Sequence, residues 1–409
     1  MPPVQGLNVG VIGAGFAGSA AAVMLARAGH GVTVYEAVPE PGPVGAGILL
    51  QPTGQHVLQQ LGLWAPVHAS GTRVDRLRCR TPSGRVLFDL PYEASARGRF
   101  GLGLHRGVLF ETLFAELSRA RVMVHLGTAI IASEASGHLR DAQGRLHGPH
   151  DLIIVADGAR SQLRSQCFAE ATDEPYPWGA LWFVAEDPEG IFTRELHQVV
   201  RGTGKMTGFL PTGQASSGGV PLTSMFWSLP VAALPQWRAT GLDVWKQEIL
   251  SFEPRAEPLL AQIDDPEQVL FAAYRDVKAP RWHNERIVLI GDAAHAMSPQ
   301  LGQGSNLALM DAQVLSQAVA DAESVQQSLQ LYQRRRGPHV RFYEFANRLC
   351  TPFFQGHGRL SGWLRDALFP VATALPYVRR RMVQTMCGIE QGVLRAPLSL
   401  GPGAEHSAR

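Results

Sequence analysis

The stretch that most limits what this chain can fold into is "LNVGVIGAGFAGSAAAVMLARAGHGVTVYE", residues 7–36. Residues 7–12 predict a short buried strand, "GAGFAG" a turn, and the apolar run from about Phe16 to Ala28 a helix that "GHG" ends. "VTVYE" then predicts a second strand closing at Glu36, eighteen residues after Gly18. This is a βαβ opening with the dinucleotide fingerprint in its structural context. Gly13 permits the tight turn, Gly15 lets the backbone approach a pyrophosphate, and Gly18 lets helix and strand pack closely. The helix N-terminus offers free N–H groups and partial positive charge to phosphates. Glu36 can accept hydrogen bonds from a ribose diol and would repel a 2′-phosphate. The motif therefore points to FAD or NAD without choosing between them.

The same run lacks the basic n-region of a secretion signal, since its first charged residue is Arg27, beyond the apolar stretch, and its glycine spacing suits a nucleotide loop better. Cys79, Cys167, Cys350 and Cys387 form no C-x-x-C pair, so no metal site is expected, and their scatter suits a reducing, cytoplasmic setting. The 37 basic and 35 acidic residues are spread without long single-sign runs, which excludes a nucleic-acid surface. Only Lys205, Lys246 and Lys278 are lysines, which we read as a coding bias. With 45% hydrophobic residues, the chain can bury one large core or two coupled ones.

An NAD dehydrogenase needs no further nucleotide loop, yet two more strand-turn-helix patterns follow. "DLIIVADGARSQLR" (151–164) is an apolar strand ending in Asp157-Gly158. "RIVLIGDAAHAMSPQLGQGSNLALMDA" (286–312) is another, ending in Gly291-Asp292 and followed by a helix from about Ser305 to Ala322 with Leu307, Met310, Val314 and Ala318 on one face. Asp292, at the carboxyl end of a parallel strand, stands where open α/β sheets bind ligands, and can accept from a sugar-alcohol chain. Gly302 and Gly304 leave N–H groups open at a helix start, a nest for anionic charge such as a reduced flavin carries. A loop this bare suits a flat ring lying against it.

With these three stations, "GAGFAG" plus Glu36, "DGARS" at 157–161 and "GDAAHAMSPQLGQGSN" at 291–306, the chain resembles the group A flavoprotein monooxygenases of the para-hydroxybenzoate hydroxylase fold. The resemblance implies non-covalent FAD, with Asp292 on the ribityl chain, Gly302 to Asn306 (including Gly304 and Ser305) along the isoalloxazine, and Pro299 shaping its reactive edge. Arg106, in "LHRGVLFETL", would hold the FAD phosphate or ribityl region, and Asp157, Gly158 and Arg160 belong to the motif tied to FAD and the pyridine nucleotide. It further implies NADH or NADPH as electron donor, oxygen addition at flavin C4a, and transfer of one oxygen atom from O2 through a hydroperoxide to an electron-rich aromatic. One departure is "EPGPVGAGI", with Gly42 and Pro43 where many relatives carry an arginine.

The expected architecture is α/β. A discontinuous Rossmann-like FAD domain spans 1–70, 101–175 and 280–345. An antiparallel substrate sheet spans 71–100 and 176–279, with a hairpin around Ser83-Gly84, and a C-terminal helical segment spans 346–409 with a disordered end, "GPGAEHSAR". The tail's prolines and Arg365-Asp366 exclude a transmembrane helix. Helices packed on the cofactor domain are favoured over contact with a membrane surface beside Arg379, Arg380 and Arg381, because no long amphipathic stripe reads as unbroken. A monomer or homodimer is expected.

No catalytic triad is expected, since the cofactor carries the hard step. Trp182, Phe209 and Trp227 are candidates for an aromatic-lined pocket, against ordinary sheet core. His197 is a candidate base for a phenol, against a solvent-facing strand histidine. His295 reads as a loop cap. Few charges beyond Arg194, Arg201 and Lys205 on the substrate strands suggest a neutral, hydrophobic aromatic or polycyclic substrate. Among rivals, a flavin halogenase lacks its early lysine here, since none precedes Lys205. A reductase of the same fold that does not use O2 is the main alternative. A non-catalytic chaperone of small GTPases would have little reason to retain both later motifs.

Overall fold

The computed structural model describes residues 4–42, 46–216, 218–356, 358–392 and 395–400, with Arg359 described by its backbone alone. Pro43 and the tail 401–409, both singled out above, lie outside the described residues. Five short apolar strands form a parallel sheet in the order Ile287–Leu289, Leu152–Val155, Asn8–Ile12, Gly31–Tyr35, Met123–His125. Numbered along the chain that order is 3-2-1-4-5 read from the far edge, a doubly wound arrangement with its switch point beside Asn8–Ile12. Val9, Val11, Ile153, Ile154 and Val288 are wholly buried, as befits strands covered on both faces. The small residues of helix Phe16–Arg27 (Ala17, Ala20, Ala21) let it sit between this sheet and helix Gly304–Asp321.

A second sheet has seven strands, ordered Leu270–Lys278, Thr172–Glu186, Leu222–Pro230, Lys205–Gly213, Glu195–Arg201, Arg76–Arg80, Val86–Pro91. All pairs are antiparallel except Glu195–Arg201 with Arg76–Arg80, where the hairpin joins the sheet. That hairpin turns at Gly84, whose φ of +86° a side chain would resist. A bridging sheet of Gly47–Leu50, Gly101–His105 and Thr72–Val74 lies between the two. Gly103 is essential to the seam, because a Cβ there would sit 1.9 Å from the Pro211 carbonyl oxygen.

The drawn boundaries cut real elements. Thr72–Val74 pairs across 70/71 with Gly101–His105, Thr172–Glu186 runs through 175/176, and helix Val325–Phe354 runs through 345/346. The stretch read as strand-rich also holds helices Leu234–Thr240, Leu242–Leu250 and Glu257–Leu260. They bury Trp245, Ile249, Phe252 and Leu259 against one face of the seven-stranded sheet. Helices Arg359–Ala374 and Pro376–Met386 follow, and no helix of the described residues is long and apolar enough to cross a membrane.

Candidate functional site

Four strand ends and the helix starts that follow them flank the switch point. After Asn8–Ile12 the chain turns at Gly13 (φ +97°), whose N–H donates to the Tyr35 carbonyl at 2.8 Å. A Cβ on Gly18 would lie 2.0 Å from the Gly13 carbonyl oxygen, so the helix can approach the turn only with glycine there. Gly15 faces open space: nothing stands within 4 Å of the position its Cβ would take. Glu36 ends the neighbouring strand, with Oε2 accepting from Ala14 N at 2.8 Å and Oε1 from Val38 N at 2.9 Å. A carboxylate has about four acceptor sites, so two remain for a diol.

Arg106 opens helix Arg106–Arg119 and stands exposed, its guanidinium 5.3 Å from the Phe16 ring at the start of the first helix. After Leu152–Val155, Gly158 turns with φ +85° and Ser161 caps helix Gln162–Cys167 through Arg164 N. Burial raises the Asp157 carboxyl above its ordinary value, against the Ser161 hydrogen bond. Its Oδ1 is buried with no hydrogen-bond partner among the described residues. Arg160 is exposed.

After Ile287–Leu289, Gly291 adopts φ +59° and presents Asp292 at the start of the turn Asp292–His295. Asp292 is exposed, so its carboxylate is open to a ligand. Pro299 and Gly304 are exposed too, Ser305 is half-buried, and Gly302 is in the left-handed region at φ +60°. Helix Gly304–Asp321 starts without a side-chain cap, so its first N–H groups remain available. Asn306 departs from the expectation. It is buried, with Oδ1 accepting from Gln51 N (2.8 Å) and Nδ2 donating to Leu49 O (3.1 Å), so its side chain braces the loop against strand Gly47–Leu50.

The loop is flanked by strand Leu270–Lys278: Val277 N donates to Ala296 O at 2.8 Å, and the Asp276 carboxylate accepts from the Ser298 N–H. Burial raises the Asp276 carboxyl, with Arg348 and Lys278 opposing. Sequence reasoning missed Asp276, since a single acid at a strand end carries no pattern.

Strand parity sorts the pocket candidates. Trp182 pairs with Phe226, and Gly208 lies opposite Phe226 on the other side. With Leu210 and Ser224 they share the face turned to the bridging sheet, where Gly47 N donates to Ser224 Oγ at 2.8 Å. Trp182 Nε1 donates to Tyr274 Oη at 3.1 Å, and burial pushes the Tyr274 hydroxyl up to about 12. Phe209 and Trp227 point the other way, into the core under helices Leu242–Leu250 and Glu257–Leu260. They are therefore core residues.

His197 shares that far face and is neither solvent-facing nor near the loop. It is buried between Glu195 (Nδ1–Oε1 3.1 Å) and Glu253 (Nε2–Oε2 2.7 Å), with Arg80, Arg78 and Arg255 around them. Burial lowers its pKa, but the two carboxylates more than reverse this and raise it.

His295 is likewise no loop cap. It is buried, its Nε2 2.7 Å from Asp311 Oδ2, and Asp311 Oδ1 accepts from Arg336 Nε at 2.6 Å. Arg336 also bonds Leu307 O and His339, and His339 reaches Gly388 O at 2.7 Å. Another buried arginine, Arg164, joins two stations by bonding Asp173 at 2.6 Å and Ala293 O at 3.1 Å.

The cradles at Gly15, Gly302 and Gly304, the orphaned Asp157 oxygen and the diol-competent Glu36 fit an adenine dinucleotide with a flat second ring. Residues 6–344 match the family model described as "FAD binding domain". The chain belongs to that FAD-binding family. It is an FAD-dependent monooxygenase of the group A fold. This monooxygenase is 26% identical over 369 residues to the aurachin C monooxygenase/isomerase of Stigmatella aurantiaca, covering 89% of this chain and 94% of that one. It is 27% identical to the 2-heptyl-3-hydroxy-4(1H)-quinolone synthase of Pseudomonas aeruginosa, covering 88% and 93%. Its fold matches that of Klebsiella pneumoniae HpxO complexed with FAD and uric acid, with a TM-score of 0.78, 22% identity and coverage of 94% and 98%.

Proposed function

We propose that this monooxygenase uses electrons from NADH or NADPH to insert one atom of O2 into a neutral, largely apolar aromatic or polycyclic molecule, and that an alkyl-bearing heteroaromatic is the best first candidate. The observation that carries the reading is the meeting of the Gly13–Gly18 turn, Asp157 and the Asp292–Asn306 loop at one switch point, across from a sheet face bearing Trp182, Leu210 and Phe226. The heptyl and quinolone parts of one relative's name fit so apolar a face.

In this reading Glu36 accepts the ribose diol, Arg106 and the N-terminus of helix Phe16–Arg27 hold the pyrophosphate, and Asp292 accepts from the ribityl hydroxyls. The uncapped start of Gly304–Asp321 donates N–H groups to the anionic edge of the reduced ring. Bound FAD supplies the oxygen-activating chemistry at its C4a carbon. The chain's own tasks are orientation, exclusion of water and holding the ring where Pro299 borders it. Asp276, raised by burial beside Ser298, is the group placed to hold or release a proton there.

The test is a panel of phenols, heteroaromatics and alkylquinolones, scored by stimulated NAD(P)H oxidation and by product mass. A true product gains one oxygen atom, from labelled oxygen gas and not from labelled water. Full-rate reduction or desaturation of a substrate under strict anaerobiosis would instead establish the reductase alternative.

A further inference from the structure

We propose that the outer face of helix Arg359–Ala374, continued by Leu375 and Tyr377, docks on the surface of an anionic phospholipid bilayer. At 100° per residue, Leu360, Trp363, Leu364, Ala367, Leu368, Val371 and Leu375 fall on one side of this helical path. Leu360 is 68% exposed, Trp363 66%, Val371 66% and Tyr377 68%. The opposite side is the anchored one. Arg365 is buried there and donates to Gly202 O and Phe353 O, while Phe369 packs its ring on Phe88, Phe353 and Phe354. Thr373 is buried as well, and Gly362 lies against Gly202 and Thr203. An ordinary surface helix buries its apolar side and wets its polar one. This helix instead leaves its broad apolar side outward while Arg365 and Phe369 anchor the other, and the unbroken apolar stripe corrects the expectation that none exists in the tail.

Exposed apolar patches of this kind mark interaction sites. Three features choose a bilayer. First, between residues 359 and 381 the sole acid is Asp366, which Arg365 holds, whereas Arg379 and Arg380 stand exposed two and three residues past Tyr377. Second, Trp363 and Tyr377 at the margin are the residue types that settle at a lipid–water boundary. Third, the helix has 16 residues and contains Pro370, too short and broken to span, so it can lie in the interface but not cross it. A second copy fits less well, because a self-paired patch sets the basic margins of two chains close together. The proposal accords with an alkyl-bearing substrate but does not depend on one, since its readout is binding and not turnover.

The experiment uses the full-length, FAD-loaded protein and sedimentation with vesicles of phosphatidylcholine, with or without phosphatidylglycerol. Wild type should sediment with the phosphatidylglycerol vesicles and be released as salt rises. Val371→Ser with Leu375→Ser should cut binding about tenfold, and so should Arg379→Gln with Arg380→Gln, a pair of exposed changes that leave the fold and the yellow colour intact. Quenching of tryptophan fluorescence by brominated lipid should fall in Trp363→Phe. Any of three results would overturn the proposal: equal binding to phosphatidylcholine alone, unchanged binding of both paired variants, or a wild-type dimer that Val371→Ser with Leu375→Ser dissolves.

Discussion

The Gly291 N–H donates to Asp311 Oδ2 at 2.7 Å, across twenty residues, so a helix residue sets the turn that presents Asp292. The same oxygen meets His295, and Arg336 takes the other. Burial pushes the Asp311 carboxyl up, but His295 and Arg336 outweigh it and bring it down to about 2. Because the folded value is depressed, this carboxylate stabilises the fold above its unfolded pKa, and the contribution is lost as pH falls towards about 2. Removing one member of a buried ion group strands the others, at about 3–5 kcal/mol. Asp311→Ala should therefore lower the urea midpoint by a corresponding amount and weaken FAD binding secondarily. Asp292→Ala should do the opposite: its exposed carboxylate leaves nothing stranded, so stability stays within about 0.5 kcal/mol. FAD affinity should fall roughly tenfold or more, from about 1–3 kcal/mol of lost charged hydrogen bonding. Titration of apoprotein with FAD and urea melts of both variants check the pair.

The first loop offers a matching contrast between two glycines. Gly18→Ala drives a methyl into the Gly13 carbonyl oxygen, a backbone atom that cannot swing aside. The overpacking should cost about 1–3 kcal/mol of stability and release the flavin. Gly15→Ala meets no protein atom, so the melting curve of apoprotein should hardly move. Its methyl occupies the approach to the pyrophosphate, and the purified variant should be paler than the yellow wild type. Comparable losses of apoprotein stability in both variants would remove Gly15 from the cradle.

The cofactor half was legible because each station is local. A strand, a glycine turn and a helix lie within some thirty residues, and Gly13, Gly15, Gly18, Glu36, Asp157 and Asp292 each follow an apolar strand that sequence alone can locate. What stayed hidden depends on partners far along the chain. Whether Trp182 or Trp227 faces the ring is a matter of strand parity, and a one-residue step reverses it. His197 reads as a solvent-facing strand histidine until Glu253, on a distant loop, closes over it. The Asp311–His295–Arg336 group joins three separate segments, so no spacing rule announces it. Asn306 belonged to a recognised motif, yet its bonds to Leu49 and Gln51 give it a bracing task that motif membership does not specify.

His197 gives a prediction in pH. Its ordinary pKa is 6.5, and in the fold the carboxylates of Glu195 and Glu253 raise it in spite of burial and the nearby Arg80, Arg78 and Arg255. A raised folded value means that the charged imidazole contributes its full stability below the unfolded pKa and loses it as pH rises through the folded one. Wild type should therefore lose urea resistance from mildly acidic to mildly alkaline pH more steeply than His197→Gln. Since His197 lies on the face away from the loop, the pH profile of kcat should be the same in both proteins. A profile that loses a limb in His197→Gln would put this histidine back among the catalytic candidates.

Trp182 and Trp227 test the parity argument directly. Trp227 is buried beneath the helices, edge-on to Phe252 with ring centroids 5.2 Å apart. Its replacement by alanine opens a core cavity, and such truncations cost about 3–5 kcal/mol. Trp182 is half-buried beside Phe226 and donates to Tyr274 on the face turned to the bridging sheet, so less core packing is lost with it. Trp182→Ala should keep most of the stability and hold FAD as tightly as wild type. It should change the relative kcat/KM for two substrates that differ in apolar bulk by about tenfold, the scale of one or two methylenes in an apolar pocket. Trp227→Ala should melt early and leave that ratio alone. The deciding measurement is the ratio of kcat/KM values taken well below both melting temperatures, because a general loss of folded protein scales both substrates equally and cancels. If the ratio moves in Trp227→Ala and stays fixed in Trp182→Ala, the substrate lies on the other face of the sheet.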